Sequence, residues 1–256
     1  MDNFIKEYEL IVEGKSFKDL DFEFMIEFDS EPEPNISEIG VYNISRDSVN
    51  EFKEGDTVIF NGGYKGNIAS MIVGTLISYE QDRTGVDTLT TLMVAPGISR
   101  WSNATINESF KSGITNKQVI NSLLSDFGLE VAEMILVREI TYDNGKVVSG
   151  MLKDILSQLS KEAGSEFYIK NEQIFIKPRE QGFDIGFLLN KDTGLIGSPR
   201  KTEEGYKIDM MLNNKVNVDT ILQVESITAN GMFRVVKGTH RDGLTEVEVV
   251  ERWWIK

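Results

Sequence analysis

Few residues in this sequence could do chemistry. Its single histidine, His240, stands just before Arg241-Asp242-Gly243. A Ser-His-Asp arrangement would have to use that residue, and one histidine cannot build a multi-histidine metal site within the chain. With no partner in sequence to poise it as an acid or base, His240 reads as a solvated or turn-stabilising side chain at a hairpin mouth. Two carboxylate pairs, Glu31 with Glu33 and Glu203 with Glu204, invite the two-acid chemistry of glycoside cleavage. The first pair alternates with Pro32 and Pro34 in a turn and the second adjoins Gly205, so both read as solvated loop acids. Gly62-Gly63-Tyr64-Lys65-Gly66 lacks the Gly-Lys-Ser/Thr ending that would present amides to phosphate, and reads as a strand connection. The chain has no cysteine, which removes disulfides, thiolate zinc sites and thiol nucleophiles and leaves the redox compartment open. No catalytic residue, cofactor-binding residue or metal ligand is assigned, and no cofactor is expected.

Charge narrows the field further. The 256 residues carry 41 acids against 27 lysines and arginines, a net charge of −14. A sequence-independent grip on nucleic acid needs cations that displace phosphate counterions, so this balance opposes it, and it disfavours an acidic membrane surface for the same reason. The acidity is local: residues 1–100 hold 19 acids and 8 bases, and residues 1–33 alone hold 11 and 3. No basic n-region with an apolar run opens the chain, and no stretch approaches a membrane span in length; a soluble protein without an export signal is expected.

These residues must be positioned mainly by strands. Phe22, Phe24, Ile26 and Phe28 alternate with Glu23, Glu27 and Asp29 at period two, so one face is apolar and the other acidic. Further strand runs are expected at 39–44, 57–60, 71–79 and 88–95, broken by Glu31-Pro32-Glu33-Pro34, Gly62-Gly63 and Arg83-Thr84-Gly85. Near residue 114 the period changes. Thr115-Asn116-Lys117-Gln118 forms a capping box ahead of Val119, Ile120, Leu123, Leu124 and Phe127, with Gly128 as the stop. A second helix is expected from near Ser149, with Leu152, Ile155, Leu156, Leu159 and Ala163 on one face and Gly164 at its end. Strands 166–170 and 173–177 flank Asn171-Glu172 as a hairpin closed by Pro178. From about residue 183 strands return, with Asn230-Gly231 and Asp242-Gly243 as the expected hairpin turns.

Several of these stretches resemble the tail and baseplate hub proteins of tailed phages and phage-derived contractile particles, the late-control protein D group included. The similar run begins with Ile39-Gly40-Val41-Tyr42-Asn43-Ile44-Ser45 and continues through Lys53-Glu54-Gly55-Asp56-Thr57-Val58, Gly62-Gly63-Tyr64 and Gly74-Thr75-Leu76-Ile77. A second run comprises Thr193-Gly194-Leu195-Ile196-Gly197-Ser198-Pro199, Met211-Leu212-Asn213-Asn214, Asn230 to Val235 and Gly238-Thr239-His240. Asn214 departs from the family, which commonly has proline after Leu-Asn, and the hydrolase or peptidoglycan-binding module of many relatives does not appear.

The resemblance implies a mainly β fold with an α+β insert: two tail-tube-like antiparallel β-barrels, residues 1–105 and 183–256, and a small two-helix module, 106–182. It implies a structural, non-enzymatic protein of a virion or phage-tail-like particle, made in the host cytoplasm. In such a particle a homotrimer forms a ring of six barrels around a channel and adapts the sixfold tail tube to the threefold central spike. The implied partners are further copies of the chain, the tube protein, the spike and, beyond them, tape measure and baseplate wedge proteins. DNA is cargo in the lumen rather than a ligand, and the acidic first barrel is where a repelling wall is expected.

Two other classes compete. A cell-wall-degrading tail hydrolase would need paired carboxylates held at different pKa values. A carbohydrate- or receptor-binding β-protein would need aromatic platforms, for which Trp101, Trp253 and Trp254 are the only tryptophans; the terminal pair reads either as partly buried aromatics or as a subunit contact.

Overall fold

The structure, a computed structural model, describes residues 5–29, 35–96, 104–125, 130–170, 173–178 and 183–251. Contacts divide the chain into two units. One holds the described residues of 1–29, 35–95 and 182–256, the other those of 96–181.

The first unit begins with β1 (Lys6–Val12), β2 (Lys15–Phe17), β3 (Phe22–Asp29) and β4 (Ser37–Tyr42). A one-turn helix, α1 (Arg46–Val49), precedes β5 (Thr57–Tyr64), β6 (Asn67–Thr84) and β7 (Asp87–Ala95). On β3 the period-two reading holds: Phe24, Ile26 and Phe28 are buried while Glu23 and Glu27 are exposed. β6 serves two ladders. Its first half pairs with β5 as far as Thr57 opposite Thr75, and its second half pairs with β7 from Thr75 to Thr84. Tyr8, Phe22, Phe24 and Phe60 form an aromatic cluster with ring centroids 5.1–6.3 Å apart, around which Leu10, Ile39, Val58 and Leu92 are fully buried.

Gly62 and Gly63 lie inside β5 rather than breaking it. The Met71 sulfur and the Tyr8 ring occupy the space that a Cβ at Gly62 would need, so the glycine marks a close approach. The turn itself falls at Lys65-Gly66, since Tyr64 pairs with Asn67.

The second unit contains β8 (Thr105–Phe110), β9 (Ile114–Thr115) and α2 (Asn116–Ser125), then β10 (Glu130–Met134), β11 (Thr141–Tyr142) and β12 (Lys146–Met151). It ends with α3 (Leu152–Glu162), β13 (Ser165–Lys170) and β14 (Gln173–Pro178). The capping box at α2 is reciprocal. The Thr115 N–H donates to Gln118 Oε1 at 3.0 Å, and the Gln118 N–H donates to Thr115 Oγ1 at 3.3 Å. Val119, Ile120, Leu123, Leu156, Leu159 and Ile176 share one buried core. α3 starts at Leu152, not near Ser149, because residues 149–151 pair with β8 and the Leu152 N–H is taken by the Ala104 carbonyl at 2.9 Å. Gly164, at φ +80°, follows its last turn.

The chain then returns to the first unit through β15 (Phe183–Leu189), β16 (Leu195–Lys201) and β17 (Gly205–Met211). β18 (Thr220–Glu225), β19 (Asn230–Arg241) and β20 (Leu244–Glu251) complete the described chain. Asp242 and Gly243, at φ +47° and +87°, form a two-residue turn between Arg241 and Leu244. Asn230-Gly231 is not the other turn: both residues lie in β19, where Glu225 pairs with Asn230. The connection is Ser226–Ala229, closed by the Ser226 N–H on the Ala229 carbonyl and by the Ala229 N–H on Ser226 Oγ. Side-chain bonding by serine thus outcompeted the Asn-Gly signal.

Phe127, Gly128, the Asn171-Glu172 turn, Glu31 to Pro34 and the three tryptophans lie outside the described residues. Among the described residues no helix is long and apolar enough to cross a membrane.

Candidate assembly surface

The feature that joins the two ends of the sequence is β19. One of its edges pairs with β20 from Phe233 to Arg241, while the other is shared: Asn230–Arg234 pair with β18 and Lys237–Arg241 pair with β3. A bulge between Val235 and Lys237 marks the changeover. The result is one hydrogen-bonded path, β16-β17-β20-β19-β3-β4-β7-β6. These eight strands are the first part of an order that continues through β5 to β1 and β2, and every pairing among the eight is antiparallel.

Four residues fasten the two halves of this sheet. Gly238 faces Phe28, and a Cβ there would stand 2.6 Å from the Glu246 carbonyl oxygen and 2.6 Å from the Phe28 ring. His240 is fully buried, with its ring 4.9 Å from that of Phe28 and Nδ1 2.9 Å from Thr245 Oγ1. The histidine expected as a solvated or turn-stabilising side chain is therefore a core histidine. Alternation along β19 turns His240 inward beside Ile26, while its neighbour Arg241 faces out. Asn214 spans the two halves as well: its Nδ2 donates to the Gly62 carbonyl at 2.7 Å and the Asn67 carbonyl at 3.0 Å. Leu212, from the second half, is buried in the aromatic core of the first.

The outward face of the eight strands carries the charge. Ladder pairing sets Glu23, Gly40, Thr91 and Glu80 in one row and Met25, Glu38, Met93 and Ser78 in the next. Glu23, Glu27, Glu38 and Glu80 are exposed and make no ion pair among the described residues, although Glu23 accepts from the Tyr42 hydroxyl at 2.9 Å. Farther along, the same face is neutralised. Lys237 meets Glu248 at 3.2 Å, Lys207 meets Glu246 at 2.7 Å, and Arg200 meets Asp209 at 3.0 Å. One continuous surface is thus acidic on β3, β4 and β6 and charge-balanced on β16, β17, β19 and β20.

Glu203 and Glu204 stand exposed in the turn between β16 and β17, which closes through the Thr202 N–H and the Gly205 carbonyl at 2.9 Å. Glu31 and Glu33 fall outside the described residues. Among the described residues no group of three or more His, Asp or Glu side chains is arranged to hold a metal ion.

The most perturbed titratable groups belong to packing. Burial, with Tyr64 and Asp242 nearby, pushes the Tyr8 hydroxyl up to about 12. In the second unit partial burial pushes Glu162 upward, but Lys146 at 3.1 Å, Gln158 at 3.0 Å and Tyr142 at 3.0 Å donate to it and hold it below the usual carboxylate value. Tyr142 is raised by burial and by that same bond. Sequence reasoning missed the β3–β19 junction, which joins residues more than two hundred apart, and the Glu162 cluster, which forms only where the end of α3 packs against the strands before it.

The fold is mainly β, with one sheet joining the strands before and after an interposed α+β module. Solved structures carry the same fold. A 43 kDa tail protein of prophage MuSo2 from Shewanella oneidensis matches with TM-score 0.69 and 12% identity, over 96% of this chain and 98% of that one. A tail protein from Neisseria meningitidis matches with TM-score 0.70 and 9% identity, over 97% of each chain. An Escherichia coli component of the type VI secretion system, which exhibits structural similarity to the T4 tail proteins gp27 and gp5, matches with TM-score 0.65 and 12% identity, over 96% of this chain and 78% of that one. No curated protein matches the chain. The family model for baseplate hub gp41 matches residues 98–237, more than half of the sequence, and the chain belongs to that family.

Proposed function

We propose that three copies of this chain form the hub ring of a tail baseplate, each supplying two barrels, one from residues 1–105 and one from 183–256, with 106–182 as the insert between them. The ring joins a sixfold tail tube to a threefold spike and surrounds a channel. The observation that carries this reading is the eight-strand sheet: a single unbroken face spans both halves, which suits a wall that continues from barrel to barrel. Its unpaired acids, Glu23, Glu27, Glu38 and Glu80, line the channel. DNA in transit meets like charge there and slides instead of adhering.

The hub works by assembly and not by bond chemistry, so no residue takes a catalytic role. Its partners are two further copies of the chain, the tube protein and the spike, with tape measure and wedge proteins beyond, and its place is the tail of a virion or a phage-tail-like particle. The likeness of the E. coli secretion protein to the T4 tail proteins gp27 and gp5 supports a place in a tail. Native mass measurement of the purified chain tests the proposal: a trimer is expected, and a monomer at every concentration contradicts it.

A further inference from the structure

His240 is buried where the two halves of the sheet join, and its bonding fixes its charge. Thr245 Oγ1 lies 2.9 Å from His240 Nδ1 and also accepts from the Asn213 N–H at 3.1 Å. Thr245 is fully buried and its hydroxyl makes no other hydrogen bond among the described residues, so the hydroxyl hydrogen has one acceptor, His240 Nδ1. A ring nitrogen that accepts carries no proton, and the imidazole is therefore neutral, with its hydrogen on Nε2. We infer that this histidine is an acid-operated release for the β3–β19 junction: while neutral it holds the ladder closed, and uptake of one proton lets the ladder open. The device lies within the first unit of a single chain and does not rest on the ring reading above.

The surroundings of the ring explain why the closed state refuses the proton. β3 supplies Ile26 opposite His240 and the Phe28 ring 4.9 Å away, β20 supplies Thr245, and beyond Thr245 stands the buried Met210 of β17. None of these carries a charge. The charged side chains of the same strands lie on the other face: Glu27 of β3 and Glu246 of β20 stand opposite Thr239, and Lys237 and Arg241 project with them. In the turn beyond, Asp242 Oδ1 accepts from the Phe24 N–H at 3.3 Å, Oδ2 meets Arg241 Nε at 3.7 Å, the Asp242 carbonyl accepts from Lys6 Nζ at 3.4 Å, and the Tyr8 hydroxyl feels the carboxylate. A proton on Nδ1 would turn the Thr245 hydrogen away from its acceptor and set a charge among apolar side chains.

In the opened ladder the imidazole is hydrated and titrates at the ordinary histidine value, about 6.5. Above that pH neither state takes the proton, and opening does not depend on pH. Below it the open state binds one proton more than the closed state, so the open fraction rises by up to about tenfold for each unit of pH. β18 and the buried Asp219–Arg234 pair hold the first part of β19, which confines the release to the edge where Lys237–Arg241 meet β3.

His240 is the only histidine of the chain, so the full chain labelled at histidine gives one side-chain signal. NMR of that signal and amide exchange are followed from pH 8 to pH 5. The Nε2–H tautomer is expected at pH 8, and the protection factor of Met25–Phe28 is expected to fall by up to about tenfold per unit below about pH 6.5, while that of Leu10–Val12 stays level. His240→Asn sets an amide oxygen where Nδ1 accepts and cannot titrate, so protection of Met25–Phe28 should be level across the range; Asp242→Asn should keep the wild-type slope. An Nδ1–H tautomer at pH 8, wild-type protection that stays level down to pH 5, or the same acid loss in His240→Asn overturns the release. If His240→Asn does not fold, the wild-type tautomer and slope decide alone.

Discussion

Asn214 holds two carbonyls of the first half of the sheet from a position in the second, and it stands where the resemblance led us to expect proline. Proline has no side-chain amide to donate, so the departure is an added clasp. Asn214→Ala leaves the Gly62 carbonyl, in the interior of β5, without this donor, and is expected to cost about 1–3 kcal/mol in urea unfolding. The Asp219–Arg234 pair, 2.6 Å apart with both side chains almost fully buried, is a sharper case. Asp219→Ala takes this carboxylate away from a buried guanidinium and should cost about 3–5 kcal/mol. At Glu162 the sign of the pH effect follows from its depressed pKa: the donors around the carboxylate stabilise the folded second unit above the ordinary carboxylate value, and that stability is lost as pH falls through the folded value. Thermal unfolding of the wild type from pH 7 to pH 3 should show the loss, and Glu162→Gln should flatten that part of the curve.

At the level of elements, the β3–β19 ladder is the piece on which the continuous face depends. Gly238→Ala would drive a methyl into the Phe28 ring and the Glu246 carbonyl, so the junction should loosen before either core does. Faster amide exchange in Phe24–Phe28 than in Leu10–Val12 is the expected signature; equal exchange in both would refute it. Much of this scale was legible in the sequence because it is local. The alternation of β3, the capping box of α2, the buried face of α3 and the Asp242-Gly243 turn each follow from residues within one or two turns of chain. What failed had a tertiary cause: Gly62 and Gly63 answer to Met71, Tyr8 and Asn214, Asn230-Gly231 yielded to Ser226, and His240 was drawn inward by a strand partner more than two hundred residues away. The acidic face was half legible. Its acids were visible as a charge excess, but their common side appeared only when the ladders aligned them.

For the whole molecule, the charge excess of residues 1–100 now has a location: Glu23, Glu27, Glu38 and Glu80 share one face, and the cations that would neutralise them sit farther along, already paired with Asp209, Glu246 and Glu248. If that face lines a channel, Glu23→Gln with Glu27→Gln and Glu38→Gln should leave assembly intact and slow DNA release at low salt more than at high salt, where screening shortens the reach of charge. The most direct test of the central claim is a cryo-EM map of the assembled tail. The account predicts three copies at the junction of tube and spike, with the β3–β19 ladder facing the lumen and its glutamates pointing inward. A peripheral position, or a central ring with those glutamates turned outward, would contradict it.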